Sequence, residues 1–249
     1  MANPLKDKLN KGHPCIGGWL TTGSPIVAEA MASVGFDWIA IDMEHGPNSE
    51  NTADLSFIAA ECHGTAGLVR LPSADPHLAR RMLDIGAAGV IVPAVESSSD
   101  FGEFIQHCLY PPKGRRGYAL SRCNRWGDSF DSYRDTFEPV IVAMIETPKG
   151  VEVAGELAVM DDVDALFLGP YDLSASLGRP GDFTTTEFAA ALARVRAACH
   201  DNGAAAGIHQ VETDPLELRQ RIEEGFSFVA YGTDMIAMRA ALALPDLSV

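Results

Sequence analysis

The sequence predicts a (β/α)8 TIM barrel, an α/β fold in a single domain over residues 1–249. Two observations predict it. Short apolar runs alternate evenly with helical patterns, eight times in succession. The runs are mostly continuous rather than alternating, as parallel strands covered on both faces require. Eight even strand–helix units favour closure over an open doubly wound sheet. An apolar share of 47% supplies the core.

In order, strands are expected at Ile16–Leu20, Trp38–Asp42, Gly67–Leu71, Gly89–Val92, Val140–Glu146, Ala165–Leu168, Ala205–His209 and Ser227–Tyr231. Helices are expected at Ile26–Val34, Thr52–Cys62, Pro76–Ile85, Ser99–Leu109, Val151–Met160, Thr184–Asn202, Pro215–Glu224 and Asp234–Leu242. Asp75 before Pro76 is a helix N-cap followed by proline at the first helical position, and Asp214 before Pro215 repeats it. Gly86, Gly203 and Gly225 sit just past helix ends. One connection breaks the rhythm: Tyr110 to Pro139 has no strong apolar period. Connections of this length usually serve function or cover an interface. This one starts at the bottom of the barrel, so it reaches the active face only by climbing the outside or through a neighbouring subunit.

Composition excludes several classes. A net charge of −15 repels nucleic acid and anionic membrane. The five cysteines, Cys15, Cys62, Cys108, Cys123 and Cys199, are widely spaced and form no Cys-x-x-Cys pair, which argues against a thiolate zinc site or a disulfide framework. No apolar run is long enough to span a bilayer, and Met-Ala-Asn-Pro-Leu-Lys carries no signal-peptide core. A cytoplasmic location is expected.

In a parallel barrel, reactive groups sit at the C-terminal ends of strands. Glu146 and Asp172 each follow an apolar run there, where a bare carboxylate is costly unless a cation answers it. Read alone, each is a helix cap or an ion-pair partner. Together they suggest a seat for a divalent ion, Mg²⁺ or Mn²⁺ first, with Co²⁺ and Zn²⁺ as further candidates. Asp42, Glu44 and His45 follow strand two, Arg70 ends strand three, and His209 ends strand seven. Arg70 is an anion or oxyanion binder, or the partner of an inner carboxylate. His45 is a general base, or a satisfied loop histidine. His209 ranks behind it. Arg122 and Arg125 read as solvated charges sooner than as substrate contacts. Lys6, Lys8, Lys11, Lys113 and Lys149 all lie outside the expected strands, which disfavours a Schiff-base aldolase. Gly232-Thr233-Asp234 is a weak phosphate candidate, because Asp234 opposes an anion.

Several motifs occur in order: Gly35-Phe36-Asp37-Trp38, Asp42-x-Glu44-His45-Gly46, Val69-Arg70-Leu71-Pro72, Leu83-Asp84-Ile85-Gly86, Tyr110-Pro111-Pro112-x-Gly114-x-Arg116-Gly117, Ile145-Glu146-Thr147 and Gly169-Pro170-x-Asp172-Leu173-Ser174-x-Ser176-x-Gly178. Over nearly the whole chain this resembles the metal-dependent pyruvate aldolases of the HpcH/HpaI family, whose superfamily also holds citrate-lyase-type enzymes. The resemblance implies that Glu146 and Asp172 bind the metal. Backbone amides from Gly169 through Pro170 and Tyr171 to Asp172 would hold the keto-acid carboxylate. His45, through a water on the metal, would remove a methyl proton, with Arg70 stabilising the enolate that attacks an aldehyde. Asp42 stands with His45, Arg70 and Asp84 in the catalytic group. Asp84 ends a helix at the barrel bottom, so it caps or pairs locally, or serves His45 only across a subunit contact as the resemblance implies. The latter implies a homo-oligomer, and the resemblance implies a hexamer built as a trimer of dimers with exchanged C-terminal helices. Two positions depart from many relatives: Met144 stands where a glutamine touches substrate, and Tyr171 where a small residue precedes the metal aspartate. Expected partners are a small 2-oxo acid and an aldehyde. The rival readings are a lyase acting on coenzyme A esters, favoured by Arg115, Arg116, Arg122 and Arg125, and a non-catalytic anion-binding barrel.

Overall fold

The strands pair in sequence order and the last returns to the first. In chain order they are β1 (Cys15–Leu20), β2 (Trp38–Asp42), β3 (Ala66–Arg70), β4 (Gly89–Val92), β5 (Val140–Ile145), β6 (Ala165–Leu168), β7 (Ala205–Gln210) and β8 (Phe228–Thr233), all parallel. The computed structural model describes residues 3–244. The helices are α1 (Pro4–Asn10), α2 (Pro25–Ala32), α3 (Glu50–Glu61), α4 (Pro76–Asp84), α5 (Ser98–Gln106), α6 (Phe130–Thr136), α7 (Pro148–Ala158), α8 (Pro170–Ser176), α9 (Thr186–Asn202), α10 (Pro215–Glu223) and α11 (Asp234–Ala241). All eight expected strands and the closed barrel are present.

Side chains alternate across each strand, and this divides the core in two. One set points outward to the helices, including Ile39, Ile41, Val69, Val90, Ile141 and Leu166. The other fills the barrel, including Trp38, Ala40, Leu68, Val140, Val142, Met144, Phe167 and Phe228. Trp38 stacks on Phe228 at 4.4 Å between ring centres. A Cβ on Gly17 would lie 2.1 Å from the Trp38 ring, so only glycine lets β1 pass that indole. Aromatic rings therefore pack the lower barrel. The same alternation carries inward-facing positions up to the C-terminal rim, at Trp19, Asp42, Arg70, Glu146 and His209.

Helix ends follow their local chemistry. Asp75 accepts from the His77 and Leu78 amides at the start of α4, and Asp214 accepts from the Leu216 and Glu217 amides at α10. Gly203 closes α9 in the left-handed region, at φ +84°. The unexpected α1 closes the bottom of the barrel. Its Leu5 and Leu9 join the inner core, and Lys6 pairs with Asp164 at 3.0 Å.

The segment between α5 and β5 is structured, unlike the expectation of an irregular connection. It holds a kinked 3-10 stretch, Arg122–Gly127, and then α6. Aromatic packing orders it: Tyr110 stacks on Tyr118, and Tyr133 on Phe137. It stays at the bottom of its own barrel. Arg122 donates to the Ile85 carbonyl at 3.0 Å and pairs with Glu61. The final helix, α11, packs on β8 and β1. Its one buried residue is Asp234, while Met235, Ile236 and Met238 are exposed.

Candidate active site

The rim cavity has a volume of about 320 Å³. Trp19, Asp42, His45, Arg70, Met144 and Glu146 line it from β1, β2, β3 and β5; Gly169, Pro170, Tyr171 and Asp172 from the start of α8; His209 and Thr233 from β7 and β8. The register Asp42↔Arg70 places a carboxylate and a guanidinium side by side on adjacent strands.

Asp42 is 1% exposed and Arg70 5%. Arg70 donates through Nε to Oδ1 at 3.0 Å and through Nη2 to Oδ2 at 2.6 Å. Trp19 Nε1 donates to Oδ2 at 3.0 Å, and the Glu44 and His45 amides donate to Oδ1 at 2.9 and 3.0 Å. Burial works against the Asp42 charge, but the Arg70 hydrogen bonds and charge outweigh it and hold the carboxyl below its ordinary range. All of its acceptor capacity is engaged, so Asp42 positions Arg70 and the Glu44–His45 turn. Arg70 Nη1 also binds Glu44. A guanidinium has five N–H donors, and three are used here, so two stay open toward an anion.

His45 sits at the mouth with its side chain 65% exposed, and Nε2 is 3.9 Å from Glu44 Oε2. His209 lies deeper, stacked on Trp19 at 4.5 Å, with Nε2 3.3 Å from Thr233 Oγ1. Burial, reinforced by the Arg70 charge, lowers its pKa to about 4, so it is neutral at pH 7. Trp19, which links His209 to Asp42, was not among the expected site residues. Its signal was present: it shares the inward-facing parity of β1.

Glu146 follows β5 and is 7% exposed. Oε2 accepts one hydrogen bond, from the Ala94 amide at 2.7 Å. A Cβ on Gly169 would come within 2.8 Å of Oε1, so glycine keeps that oxygen clear. Burial raises the Glu146 pKa, and the charges of Asp172 and Glu44 raise it further against the Ala94 hydrogen bond and Arg70. Neither Glu146 nor Asp172 has a Lys or Arg ion-pair partner among the described residues. A buried carboxylate with one N–H and a second carboxylate acting on it fits a hard divalent cation. No group of three His, Cys, Asp or Glu side chains converges among the described residues, so two carboxylates leave the other positions to substrate and water.

Of the expected carboxylate-binding amides, Gly169 N–H goes to the Ile145 carbonyl at 3.4 Å and Pro170 has none. Tyr171 and Asp172 supply the free first-turn amides of α8. Met144, 2% exposed, forms apolar floor. Tyr171 is 53% exposed and meets Phe183 edge-on at 5.1 Å. Asp84 is elsewhere in this chain: it ends α4 at the opposite end of the barrel and pairs with Arg116 at 2.7 Å. The phosphate candidate is filled from within. Asp234 accepts from the Thr21 amide and hydroxyl and from the Thr22 amide, at 3.1, 2.7 and 3.0 Å. None of the five lysines lines the cavity.

Comparison with known proteins gives the chain a family. The family model described as HpcH/HpaI aldolase/citrate lyase matches residues 16–241. A hydroxypyruvate/pyruvate aldolase of Paraburkholderia phytofirmans is 37% identical over 248 residues, covering 96% of this chain and 94% of its own. A 5-keto-4-deoxy-D-glucarate aldolase of Salmonella paratyphi C is 34% identical over 242 residues, covering 96% and 93%. The crystal structure of an HpcH/HpaI aldolase/citrate lyase family protein from Burkholderia cenocepacia superposes with a TM-score of 0.91 at 34% identity, over 96% of each chain. The chain belongs to the HpcH/HpaI aldolase/citrate lyase family and is a carbon–carbon lyase.

Proposed function

We propose that the protein is a class II aldolase that cleaves and forms 4-hydroxy-2-oxo acids through the enolate of pyruvate or hydroxypyruvate and an aldehyde. Glu146 carries the reading: a buried carboxylate with one hydrogen bond and no cation, acted on by Asp172, in a cavity that also holds Arg70. Relatives named hydroxypyruvate/pyruvate aldolase support the donor.

Glu146 and Asp172 would hold a divalent cation, with Mg²⁺ or Mn²⁺ favoured over Co²⁺ or Zn²⁺ by the all-oxygen donors. When bound, the cation polarises the 2-keto oxygen and stabilises the charge of the enolate. Arg70, fixed by Asp42 and Glu44, aims its two open N–H groups at the developing oxyanion, so no reorganisation is needed as charge appears. The Tyr171 and Asp172 amides hold the substrate carboxylate. His45, free at the mouth, takes the methyl proton and returns it in the reverse direction. Met144 gives the keto acid no polar contact from β5. Tyr171 narrows the aldehyde side.

Asp84 reaches His45 only from a second subunit, which makes a homo-oligomer, a hexamer of paired subunits, part of the catalytic unit. The exposed Met235 and Met238 of α11, a helix seated on its own β8 and β1, support packing against a neighbour. Within one subunit the arginines of the coenzyme A reading stay off the rim. Arg115 pairs with Glu103, Arg116 with Asp84 and Arg122 with Glu61, and Arg125 lines a basal cavity, all away from the rim. Among the described residues no helix is long and apolar enough to cross a membrane.

The test is exchange of the pyruvate methyl protons in heavy water with Mg²⁺ or Mn²⁺. Exchange is expected with metal and lost on chelation. Full exchange after chelation, or none with any metal, ends the reading.

A further inference from the structure

We propose that Ala94 is a positioning residue for Glu146: its left-handed backbone aims one N–H at the carboxylate and leaves the other oxygen open to a cation. The inference rests on the metal seat proposed for Glu146 and Asp172. Ala94 has φ +48°. Among the described residues the other non-glycine positions with positive φ are Arg125 and Trp126, at the far end of the barrel. Strain of this kind persists only where the surroundings over-determine it, and here they do.

The turn follows β4 and Pro93. The Ala94 N–H goes to Glu146 Oε2 at 2.7 Å, and the next amide, Val95, goes to the Met144 carbonyl at 3.1 Å. The dihedrals of Ala94 set the angle between these two donors, and both acceptors lie on the β5 chain. On the other side Gly150 makes room for the Val95 carbonyl, since a Cβ there would lie 2.8 Å from its oxygen. The single Ser176 hydroxyl proton is shared between the Glu146 carbonyl at 2.9 Å and the Leu173 carbonyl at 2.8 Å, which ties the Glu146 backbone to α8. Glu146 is thus pinned at its main chain and at one carboxylate oxygen. The other oxygen lies over bare Gly169, beside the first turn of α8 that carries Asp172. Outer groups that orient a ligating side chain govern metal affinity in this way.

The test is Mn²⁺ binding by the whole protein, read from the paramagnetic resonance of free Mn²⁺, for wild type, Ala94→Gly and Ala94→Val. Glycine takes positive φ freely and keeps the N–H, so its affinity is expected within about twofold of wild type. A β-branched residue resists that region, so Ala94→Val is expected to bind about 10–100-fold more weakly. A turn with only a structural role would lower the melting temperature of Ala94→Val and leave its Mn²⁺ affinity unchanged; that result overturns the proposal. A wild type that binds no Mn²⁺ overturns the metal seat and the proposal together, and so marks the other failure. Should Ala94→Val not fold, hydrogen exchange in the wild type decides. The Ala94 amide, on an exposed residue, is expected to be protected, and unhindered exchange overturns the proposal.

Discussion

Arg70 grips Asp42 through two parallel hydrogen bonds, Nε to Oδ1 at 3.0 Å and Nη2 to Oδ2 at 2.6 Å. The pair is buried, and Asp42 also carries Trp19 and two backbone amides. Asp42→Asn sets an amide N–H₂ against the guanidinium and leaves the buried cation with Glu44, at a single N–H, as its remaining carboxylate partner among the described residues. The expected loss is about 3–5 kcal/mol of stability, with a large fall in kcat/KM as Arg70 leaves its position. Denaturant unfolding and steady-state kinetics on one preparation check both, and unchanged stability contradicts the pairing.

Glu146 makes the metal-free protein less stable as pH rises above the ordinary carboxylate range. Its folded pKa lies above the ordinary value, so the folded state holds that proton more tightly than the unfolded chain. Its contribution is fully present below the ordinary carboxylate range and is lost as pH rises through the raised value. A cation at Glu146 and Asp172 should reverse this. At a free metal concentration of 100 times Kd the gain is about 2.7 kcal/mol, or roughly 5–10 °C in melting temperature. The shift should be larger at pH 8 than at pH 5, and absent in Glu146→Ala. Calorimetry with and without chelator measures it.

His209 acts on stability in acid. Its folded pKa is depressed to about 4, so between the ordinary histidine value and about 4 the unfolded chain binds more protons. Stability should fall as pH drops across that window. His209→Gln removes the titrating ring, so its acid midpoint should move to lower pH relative to its own neutral stability. An identical pH slope in the variant counts against burial of a neutral imidazole.

Asp84 and His45 lie at opposite ends of one barrel. Subunits bearing His45→Ala should complement subunits bearing Asp84→Asn, because each intact site takes His45 from one and Asp84 from the other. Equal mixing in a symmetric oligomer restores about a quarter of wild-type activity. Refolded mixtures that stay as inactive as the separate variants argue for a local role of Asp84, as the partner of Arg116.

The barrel was legible because its strands are continuous apolar runs, and a run buried on both faces admits few other readings. The rim residues were legible for a related reason. A charge ending such a run, as at Asp42, Arg70 and Glu146, has nowhere to point but the mouth. Shorter elements escaped. In α1, Leu5 and Leu9 are the apolar residues that lock it under the barrel, too few to set a period. The first turn of α8 reads in sequence as a Gly-Pro turn. The order in α6 comes from tertiary contacts, among them Tyr133 with Tyr110 and Phe137, which linear spacing does not encode. Ala94 carried no signal at all, since an alanine gives no hint of positive φ. Trp19 carried one that went unread, the two-residue parity of its strand.

The helix beneath the barrel has a kinetic meaning. With Leu5, Leu9 and the Lys6–Asp164 pair covering the lower end, and Trp38, Phe167 and Phe228 filling the axis, the described residues leave the rim cavity opening at the upper end. Two reactants that share it must queue: the one that settles deeper arrives first and departs last. Product inhibition patterns would then record depth as order, with the shallower product competing against nothing below it.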